Sequence, residues 1–259
     1  MLKKMMSFLL ALAALTTGSS APADKVTVTE QNYREFLTLT NTYPHNNSSF
    51  TQGLFFHNGI MYETTGRYGE SMLYKNIELQ TGNAELSYEF DDNIFAEGSV
   101  VFDDTLYVLT YKENKVLTFH PETLEPWSTY SYPHQGWGIT TDGEHLIASD
   151  GSSKLYFMDK DLDTVSSLEV TRDGEPLDMI NELEYINGQL WANIWLTDEI
   201  VIIDKKSGKV VRTLDFSGLY DNKSSDPNDV LNGIAYDSDS GRIYITGKNW
   251  DTVFEFELE

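Results

Sequence analysis

The 259-residue sequence contains no cysteine. Disulfide frameworks, thiolate metal sites and cysteine nucleophiles are therefore excluded. Basic residues are also scarce, because 18 Lys and Arg stand against 41 Asp and Glu, a formal net charge of −23. Such a charge repels phosphate backbones and anionic lipid headgroups, so neither a nucleic-acid nor a membrane partner is expected. The hydrophobic content of 40% is nevertheless sufficient for a full-sized core.

Long apolar runs are missing as well. An apolar stretch over residues 8–15 follows a basic start and precedes the small-residue tripeptide at 21–23. This stretch is too short for a membrane-spanning helix but has the pattern of a secretory signal. The sequence therefore predicts a signal peptide over residues 1–23, a secreted or periplasmic protein, and a single domain over residues 24–259.

The mature part of the sequence has little helical periodicity and is rich in short β-type runs separated by turn pairs such as Asn58-Gly59 and Asn187-Gly188. Five stretches align as a strand, a tight turn and a second strand, and they start 40 to 51 residues apart. Each is followed by enough chain for two more strands, which is typical of propeller blades. We therefore predict an all-β fold, a five-bladed β-propeller of four-stranded antiparallel blades around a central channel. An N-terminal strand from residues 25–43 would complete the last blade.

The first position of the five aligned stretches carries polar or large side chains. The innermost strand of each blade lines the channel, so equivalent positions converge at one height on the axis. This inner ring consists of Gln52, Glu97, Trp137, Asn181 and Asn232. The ends of the second strands return to the same rim and form an outer ring of Gly66, Tyr111, Gly151, Trp195 and Lys248. Together the rings predict a small-ligand pocket at one mouth of the channel.

Within these rings, Glu97 is the main candidate for chemistry. It follows the apolar residues 94–96, and desolvation would raise the pKa of its carboxyl toward the range useful in acid–base catalysis. The alternative is a buried structural pair with Lys248. Gln52 and Asn181 either hold a ligand or satisfy backbone groups, and the two ring tryptophans either form pocket walls or belong to the core.

Longer motifs around these positions carry a family resemblance. They include Phe50-Thr51-Gln52-Gly53-Leu54, Phe95-Ala96-Glu97-Gly98, Gly136-Trp137-Gly138, Asn181-Glu182-Leu183-Glu184-Tyr185, Ala192-Asn193-Ile194-Trp195 and Thr246-Gly247-Lys248-Asn249-Trp250. From Tyr43 to its end the chain resembles the plant-type and bacterial glutaminyl cyclases, which are five-bladed propellers. The resemblance implies a pocket made of Gln52, Phe95, Glu97, Trp137, Asn181, Trp195 and Lys248. It places the acid–base role on Glu97. Tyr111 stands where the family usually has Trp, so it is expected to keep an aromatic wall and add a hydroxyl to it.

The activity that this resemblance implies is conversion of N-terminal glutaminyl residues of peptides or proteins to pyroglutamyl, with release of ammonia. No metal or other cofactor is expected, and a monomer is expected. Two alternatives stay open. One is a metal-dependent lactonase-type propeller in which oxygens of Glu97, Asn181 and Asn232 bind a divalent cation, although Lys248 at the same mouth argues against it. The other is a propeller that binds peptides without catalysis.

Overall fold

Nearly all regular structure is β-strand in the computed structural model, which describes residues 29–258. Five antiparallel sheets follow one another along the chain as the blades of a propeller, which confirms the predicted fold. From the first to the fourth strand, the blades are Thr51–His57, Ile60–Thr65, Met72–Glu78 and Asn83–Glu89 (blade 1); Ala96–Phe102, Thr105–Thr110, Lys115–Phe119 and Pro126–Ser131 (blade 2); Ile139–Thr141, Leu146–Ser149, Lys154–Met158 and Thr164–Glu169 (blade 3); Ile180–Ile186, Gln189–Ile194, Glu199–Asp204 and Val210–Asp215 (blade 4); and Leu231–Asp237, Arg242–Gly247, Thr252–Leu258 and Leu37–Pro44 (blade 5).

The N-terminal segment closes the ring, and it does so on two blades. Leu37–Pro44 pairs antiparallel with Thr252–Leu258, so the start of the described chain completes blade 5 as predicted. Thr29–Asn32 pairs in parallel with Val210–Asp215 and adds a fifth strand to blade 4, which the sequence did not indicate. The 3-10 turn Tyr33–Glu35 connects these two strands. Residues 29–258 contain no helix with the length and apolar character of a membrane span.

Tight turns join the first two strands of the blades. The pairs Asn58-Gly59 and Asn187-Gly188 have positive φ at both residues, 51° and 73° in the first pair and 49° and 87° in the second. A two-residue hairpin turn of this twist requires that conformation, which Asn and Gly tolerate best. Asp103-Asp104 adopts it without glycine, with φ of 48° and 58°. A small extra hairpin, Thr171–Arg172 with Glu175–Pro176, lies between blades 3 and 4.

The apolar core lies between neighbouring blades. Between blades 4 and 5, for example, the buried side chains of Trp191, Ile202 and Ile245 belong to one cluster. Between blades 1 and 2, Tyr62 and Val108 belong to another. Because strand side chains alternate between the two faces of each sheet, every blade can bury apolar residues on both neighbours. The channel is therefore left for polar side chains.

Backbones crowd together around the channel, which explains the glycines that follow the inner-ring residues. A Cβ atom on Gly138 would lie 2.1 Å from the carbonyl oxygen of Asn181, and one on Gly98 would lie 2.7 Å from that of Trp137. Gly98 also donates its N–H to the Trp137 oxygen at 2.8 Å. Blade 4 has Glu182 at this position, and its carboxylate accepts backbone hydrogen bonds from blades 1 and 5.

Candidate active site

A cavity of about 440 Å³ opens at one mouth of the channel. Its lining includes all eight site residues proposed from the sequence, namely Gln52, Phe95, Glu97, Tyr111, Trp137, Asn181, Trp195 and Lys248. The structure therefore brings together side chains that are up to 196 positions apart in the sequence. Their placement around one cavity is observed, whereas their individual roles stay a prediction.

Four of the five inner-ring residues line the cavity, and the first strands are irregular where this ring lies. In blades 1, 2, 4 and 5 the pairing of the first strand with the second shifts register at this point, between Thr51 and Gly53, Ala96 and Ser99, Ile180 and Leu183, and Leu231 and Ile234. A bulge of this kind releases a residue from the ladder and redirects its side chain. In blade 3, Trp137 precedes the first strand altogether.

Glu97 is a buried carboxylate with no hydrogen bond from the described part of the chain. Glu97 is 5% exposed. Burial raises the pKa of its carboxyl well above the ordinary value, the charge of Lys248 opposes this shift, and the charge of Glu113 adds to it. No ion pair within 4.0 Å joins Glu97 to Lys248 in residues 29–258, so the structure does not show the structural pair that was the alternative. The carboxylate is therefore available to a ligand.

Lys248 provides a buried cation at the same mouth. Its residue is 2% exposed, and its Nζ lies 4.8 Å from the centroid of the Phe50 ring. Burial lowers the pKa of its ammonium to about 8, although the Glu97 charge opposes this shift and the Arg67 charge adds to it. The guanidinium of Arg67 also lies against the Phe50 ring, 4.4 Å from its centroid. At neutral pH the Lys248 side chain is thus protonated, but it loses its charge close to pH 8.

Three polar atoms of the cavity lining are buried without a hydrogen-bond partner in the part of the chain that the structure describes. They are Gln52 Oε1, Asn181 Oδ1 and Trp137 Nε1. An unpartnered buried polar atom costs about 1–3 kcal/mol, so native proteins tolerate few of them. The amide oxygens do not satisfy backbone groups, and the arrangement instead offers two acceptors and one donor to a ligand. Asn232 differs in that it does not line the cavity. Its Nδ2 donates to the carbonyl of Thr51 at 2.9 Å, and its Oδ1 is buried without a partner in residues 29–258.

Two tryptophans form one wall of the cavity. The rings of Trp137 and Trp195 meet edge to face, with centroids 5.5 Å apart and planes at 87°. Gly151 makes room for this arrangement, because a Cβ atom there would lie 2.5 Å from Cζ2 of Trp137. Its φ of 82° is also one that residues with side chains rarely adopt. These tryptophans therefore line the pocket rather than the core between blades.

A second wall is built around Phe95. Its ring centroid lies 5.4 Å from that of Tyr68 and 5.5 Å from that of Tyr111. Gly66 lies beneath it, since a Cβ atom there would approach Phe95 Cε1 to 2.3 Å. Tyr111, which replaces the usual Trp of the family resemblance, thus keeps an aromatic contact with this wall as predicted. Two of the outer-ring glycines are explained in the same way, by an aromatic ring that occupies the space of a side chain.

Four lining residues were not proposed as site residues from the sequence: Phe50, Arg67, Asp226 and Asn228. Phe50 lies two residues before Gln52, and this period of two was a usable signal for a shared strand face. The others lie on loops, where the repeat gives no guidance. Arg67 Nη2 lies 3.4 Å from the carboxylate of Asp226, so this ion pair joins a loop of blade 1 to the connection between blades 4 and 5.

The fold and the cavity together define a five-bladed propeller whose channel mouth is equipped for acid–base chemistry on a small polar ligand. The chain belongs to the glutamine cyclotransferase family, whose sequence profile matches residues 8–258. It is 36% identical over 223 residues to a glutaminyl-peptide cyclotransferase of Arabidopsis thaliana, covering 84% of this chain and 69% of the relative. It also matches the crystal structure of Myxococcus xanthus glutaminyl cyclase with a TM-score of 0.80 at 35% identity, covering 86% of this chain and 96% of that chain. The family predicted from the motifs is confirmed.

Proposed function

We propose that the protein is a glutaminyl-peptide cyclotransferase that converts N-terminal glutaminyl residues of peptides or proteins to pyroglutamyl and releases ammonia. Membership of the family supports this reaction. The observation that carries it is the state of Glu97, a buried carboxylate without a hydrogen bond from the described chain, beside the buried cation of Lys248. This is the environment that a general acid–base group requires.

In the first step the α-amine of the substrate attacks its own side-chain carbonyl carbon. The amine must be neutral to act as a nucleophile, and the Glu97 carboxylate orients it by accepting a hydrogen bond from one of its N–H groups. As the new C–N bond forms, the carbonyl π electrons move to oxygen and the amine proton passes to Glu97. The raised pKa of Glu97 favours this transfer, because its protonated form is stable in the buried pocket.

In the second step the tetrahedral intermediate collapses. Glu97 returns the proton to the former amide nitrogen, the bond from carbon to that nitrogen breaks, and the carbonyl re-forms as ammonia leaves. Glu97 ends in its starting protonation state. One carboxyl therefore serves first as base and then as acid, so no second titrating carboxylate is required in the pocket.

The remaining pocket residues position the substrate. Nucleophile and carbonyl belong to the same residue, so the main requirement is to hold the side chain folded back on its own amine, which the rings of Phe95, Trp137 and Trp195 do by enclosing it. The Lys248 ammonium stabilises the charge that develops on the carbonyl oxygen. The unpartnered oxygens of Gln52 and Asn181 accept hydrogen bonds from N–H groups of the substrate, and either oxygen can hold the amine or the amide.

The test is release of ammonia from glutaminyl dipeptide amides, followed together with loss of one ammonia in the mass of the peptide. N-acetylated glutaminyl peptide is the matched control, since its blocked nitrogen cannot attack. Ammonia from the free peptide alone supports the proposal. No ammonia from correctly folded protein overturns it, and binding without turnover would instead support the peptide-binding alternative.

We propose that this chemistry requires no metal. The lactonase-type alternative needs oxygens of Glu97, Asn181 and Asn232 around a cation, but Asn232 does not line the cavity that contains the other two. The Lys248 ammonium would also repel a divalent ion at this mouth. In residues 29–258 no group of three or more His, Asp or Glu side chains is arranged to hold a metal. Activity should survive excess chelator, and inactivation without unfolding would favour the metal-dependent alternative.

We also propose that the protein is exported and acts as a monomer. The basic start, the short apolar stretch and the small-residue tripeptide of the sequence support export. The signal peptide predicted over residues 1–23 lies outside the described residues. N-terminal sequencing of protein recovered from cells should start near Asp24, and light scattering after size exclusion should give the mass of one chain. An intact N-terminus inside the cell or a larger mass would overturn the respective proposal.

A further inference from the structure

The exposed apolar side chains of the described chain fall into two groups. Five lie on fourth strands, at the outer edge of blades: Leu39, Trp127, Tyr130, Val165 and Val211. Scattered apolar residues of this kind are normal on protein surfaces. Three others lie on loops: Tyr68, Met179 and Leu196. Each of these three adjoins a wall of the pocket.

Met179 and Leu196 are both connected through the backbone to the tryptophan wall. The N–H of Met179 donates to the carbonyl of Gly151 at 2.8 Å, and its own carbonyl accepts the N–H of Trp195 at 2.9 Å. The backbone of Met179 therefore links the glycine beneath Trp137 to the second tryptophan. Leu196 directly follows Trp195 in the chain. Both residues therefore adjoin this wall through the backbone, and both side chains remain exposed.

Both residues also adopt an unfavourable backbone conformation. The φ angle is 65° at Met179 and 66° at Leu196. For residues with a side chain, this left-handed region costs roughly 1–2 kcal/mol. At the same time the residues remain 43% and 49% exposed, so little apolar burial offsets that cost within the described chain. Strain of this kind next to a pocket points to a role in binding.

The geometry of the substrate shows what these side chains would contact. If the N-terminal glutamine fills the cavity, the rest of the peptide must leave through its mouth, and the second residue is the first to cross the rim. Tyr68, which is 52% exposed, lies on the blade 1 side of that rim and packs its ring edge against Phe95. An apolar second side chain crossing here would cover Met179 and Leu196 and remove apolar surface from water.

We propose that Met179 and Leu196, with Tyr68 across the mouth, form an apolar rim that binds the side chain of the residue following the N-terminal glutamine. The enzyme then prefers peptides with a large apolar residue at the second position. This inference rests on the proposed cyclase function and deepens it. The peptide has a second possible exit from the pocket. A neighbouring acidic cleft shares Arg67 and Asp226 with the pocket and also contains Glu70 and Asp251. Exit through that cleft would favour a basic second residue.

The test compares kcat/KM for glutaminyl-phenylalanine amide, glutaminyl-glycine amide and glutaminyl-lysine amide. We expect the phenylalanine peptide to exceed the glycine peptide by about tenfold, the discrimination that burial of one apolar side chain supports. The double variant Met179→Asn/Leu196→Asn should bring this ratio close to one. Asn tolerates the left-handed backbone, so the fold is preserved. Leu39→Asn, at a residue 44% exposed on an outer strand, is the matched control and should leave the ratio unchanged.

Each outcome decides between the possibilities. An unchanged ratio in the double variant overturns the rim, and so does a wild-type preference for the lysine peptide. If the double variant unfolds at the assay temperature, Leu196→Asn alone should still lower the ratio of kcat/KM for the phenylalanine peptide to that for the glycine peptide. An unchanged ratio in this single variant also overturns the rim. Absence of ammonia from all three peptides with folded wild-type protein would overturn the proposed function itself, whereas turnover of all three at equal rates overturns only the rim.

Discussion

Glu97 and Glu182 are both buried carboxylates on first strands of the propeller, one at the mouth of the channel and one inside it. Burial raises the pKa of both carboxyls well above the ordinary value. Glu182 accepts backbone hydrogen bonds from Ile234 at 2.9 Å and Leu54 at 3.4 Å, whereas Glu97 accepts none from the described chain. Equal burial therefore leads to different roles. Hydrogen bonding decides whether a carboxylate joins the blades or remains free for a substrate.

Glu184 extends the comparison further into the channel. It lies two residues after Glu182, so both side chains leave the same face of the strand. Its carboxylate accepts a hydrogen bond from the N–H of Tyr236 at 2.9 Å and from the hydroxyl of Thr140 at 3.2 Å. Blade 4 thus reaches blades 1, 3 and 5 through two carboxylates. These two carboxylates join blades, whereas Gln52 Oε1, Asn181 Oδ1 and Trp137 Nε1 at the mouth have no partner in residues 29–258.

The largest expected effect comes from Glu97→Gln. It should lower turnover of glutaminyl dipeptides about 10²–10⁴-fold, because an amide cannot take up and return the proton. The free energy of unfolding at pH 7.5 should be unchanged or higher, since the substitution removes a buried charge and breaks no protein hydrogen bond. Ammonia release and urea unfolding measure the two effects. Near-native turnover would remove Glu97 from its proposed role.

Lys248→Met should lower turnover about 10²-fold, by removing the cation that stabilises the developing oxygen charge. The folded pKa of Lys248 is depressed to about 8, so the cation is lost as the pH rises through that value. In the wild type, turnover should therefore fall on the alkaline side. Lys248→Arg stays charged in this alkaline range, so the decrease in turnover should shift to higher pH. An identical alkaline limb in the arginine variant would contradict a charge role for Lys248.

Glu182→Gln should have the opposite effects to Glu97→Gln, because it should lower the free energy of unfolding and leave turnover unchanged. Its new amide group can accept through one atom only, so its NH₂ would face a backbone N–H of blade 1 or blade 5. We expect a loss of about 1–3 kcal/mol in the free energy of unfolding. Turnover measured well below the unfolding temperature should be retained. Loss of turnover in a fully folded variant would mean that the channel carboxylates take part in catalysis.

A further effect concerns the pH dependence of stability. Burial raises the pKa of Glu184 from 4.5 to about 8, so the group contributes stability that is fully present below pH 4.5 and is lost as the pH rises through 8. Glu184→Gln should make the free energy of unfolding less dependent on pH between these values. Urea unfolding at several pH values measures the slope. An unchanged slope would show that Glu184 titrates normally in the folded protein.

Much of this architecture was readable from the sequence because propeller blades repeat. Equal spacing placed Gln52, Glu97 and Asn181 at equivalent positions, and symmetry then required them to meet on the axis. Arg67 and Asp226 were missed because they lie on loops outside the repeat. The parallel strand Thr29–Asn32 was missed for a similar reason. Its partner strand lies 183 positions later in the sequence, and the sequence of a short strand does not indicate which sheet edge it will pair with.

By itself the sequence determined the number of blades, the closure of blade 5 by an N-terminal strand and eight of the twelve residues that line the cavity. These features follow from the repeat of the blades, which is visible in the linear sequence. Only the tertiary structure decided that Glu97 receives no hydrogen bond from residues 29–258, that Glu182 is satisfied by two other blades, and that Arg67 and Lys248 both lie against the Phe50 ring. Hydrogen bonds, burial and electrostatic shifts depend on neighbours brought together by folding, and a linear pattern does not specify the distances on which they depend.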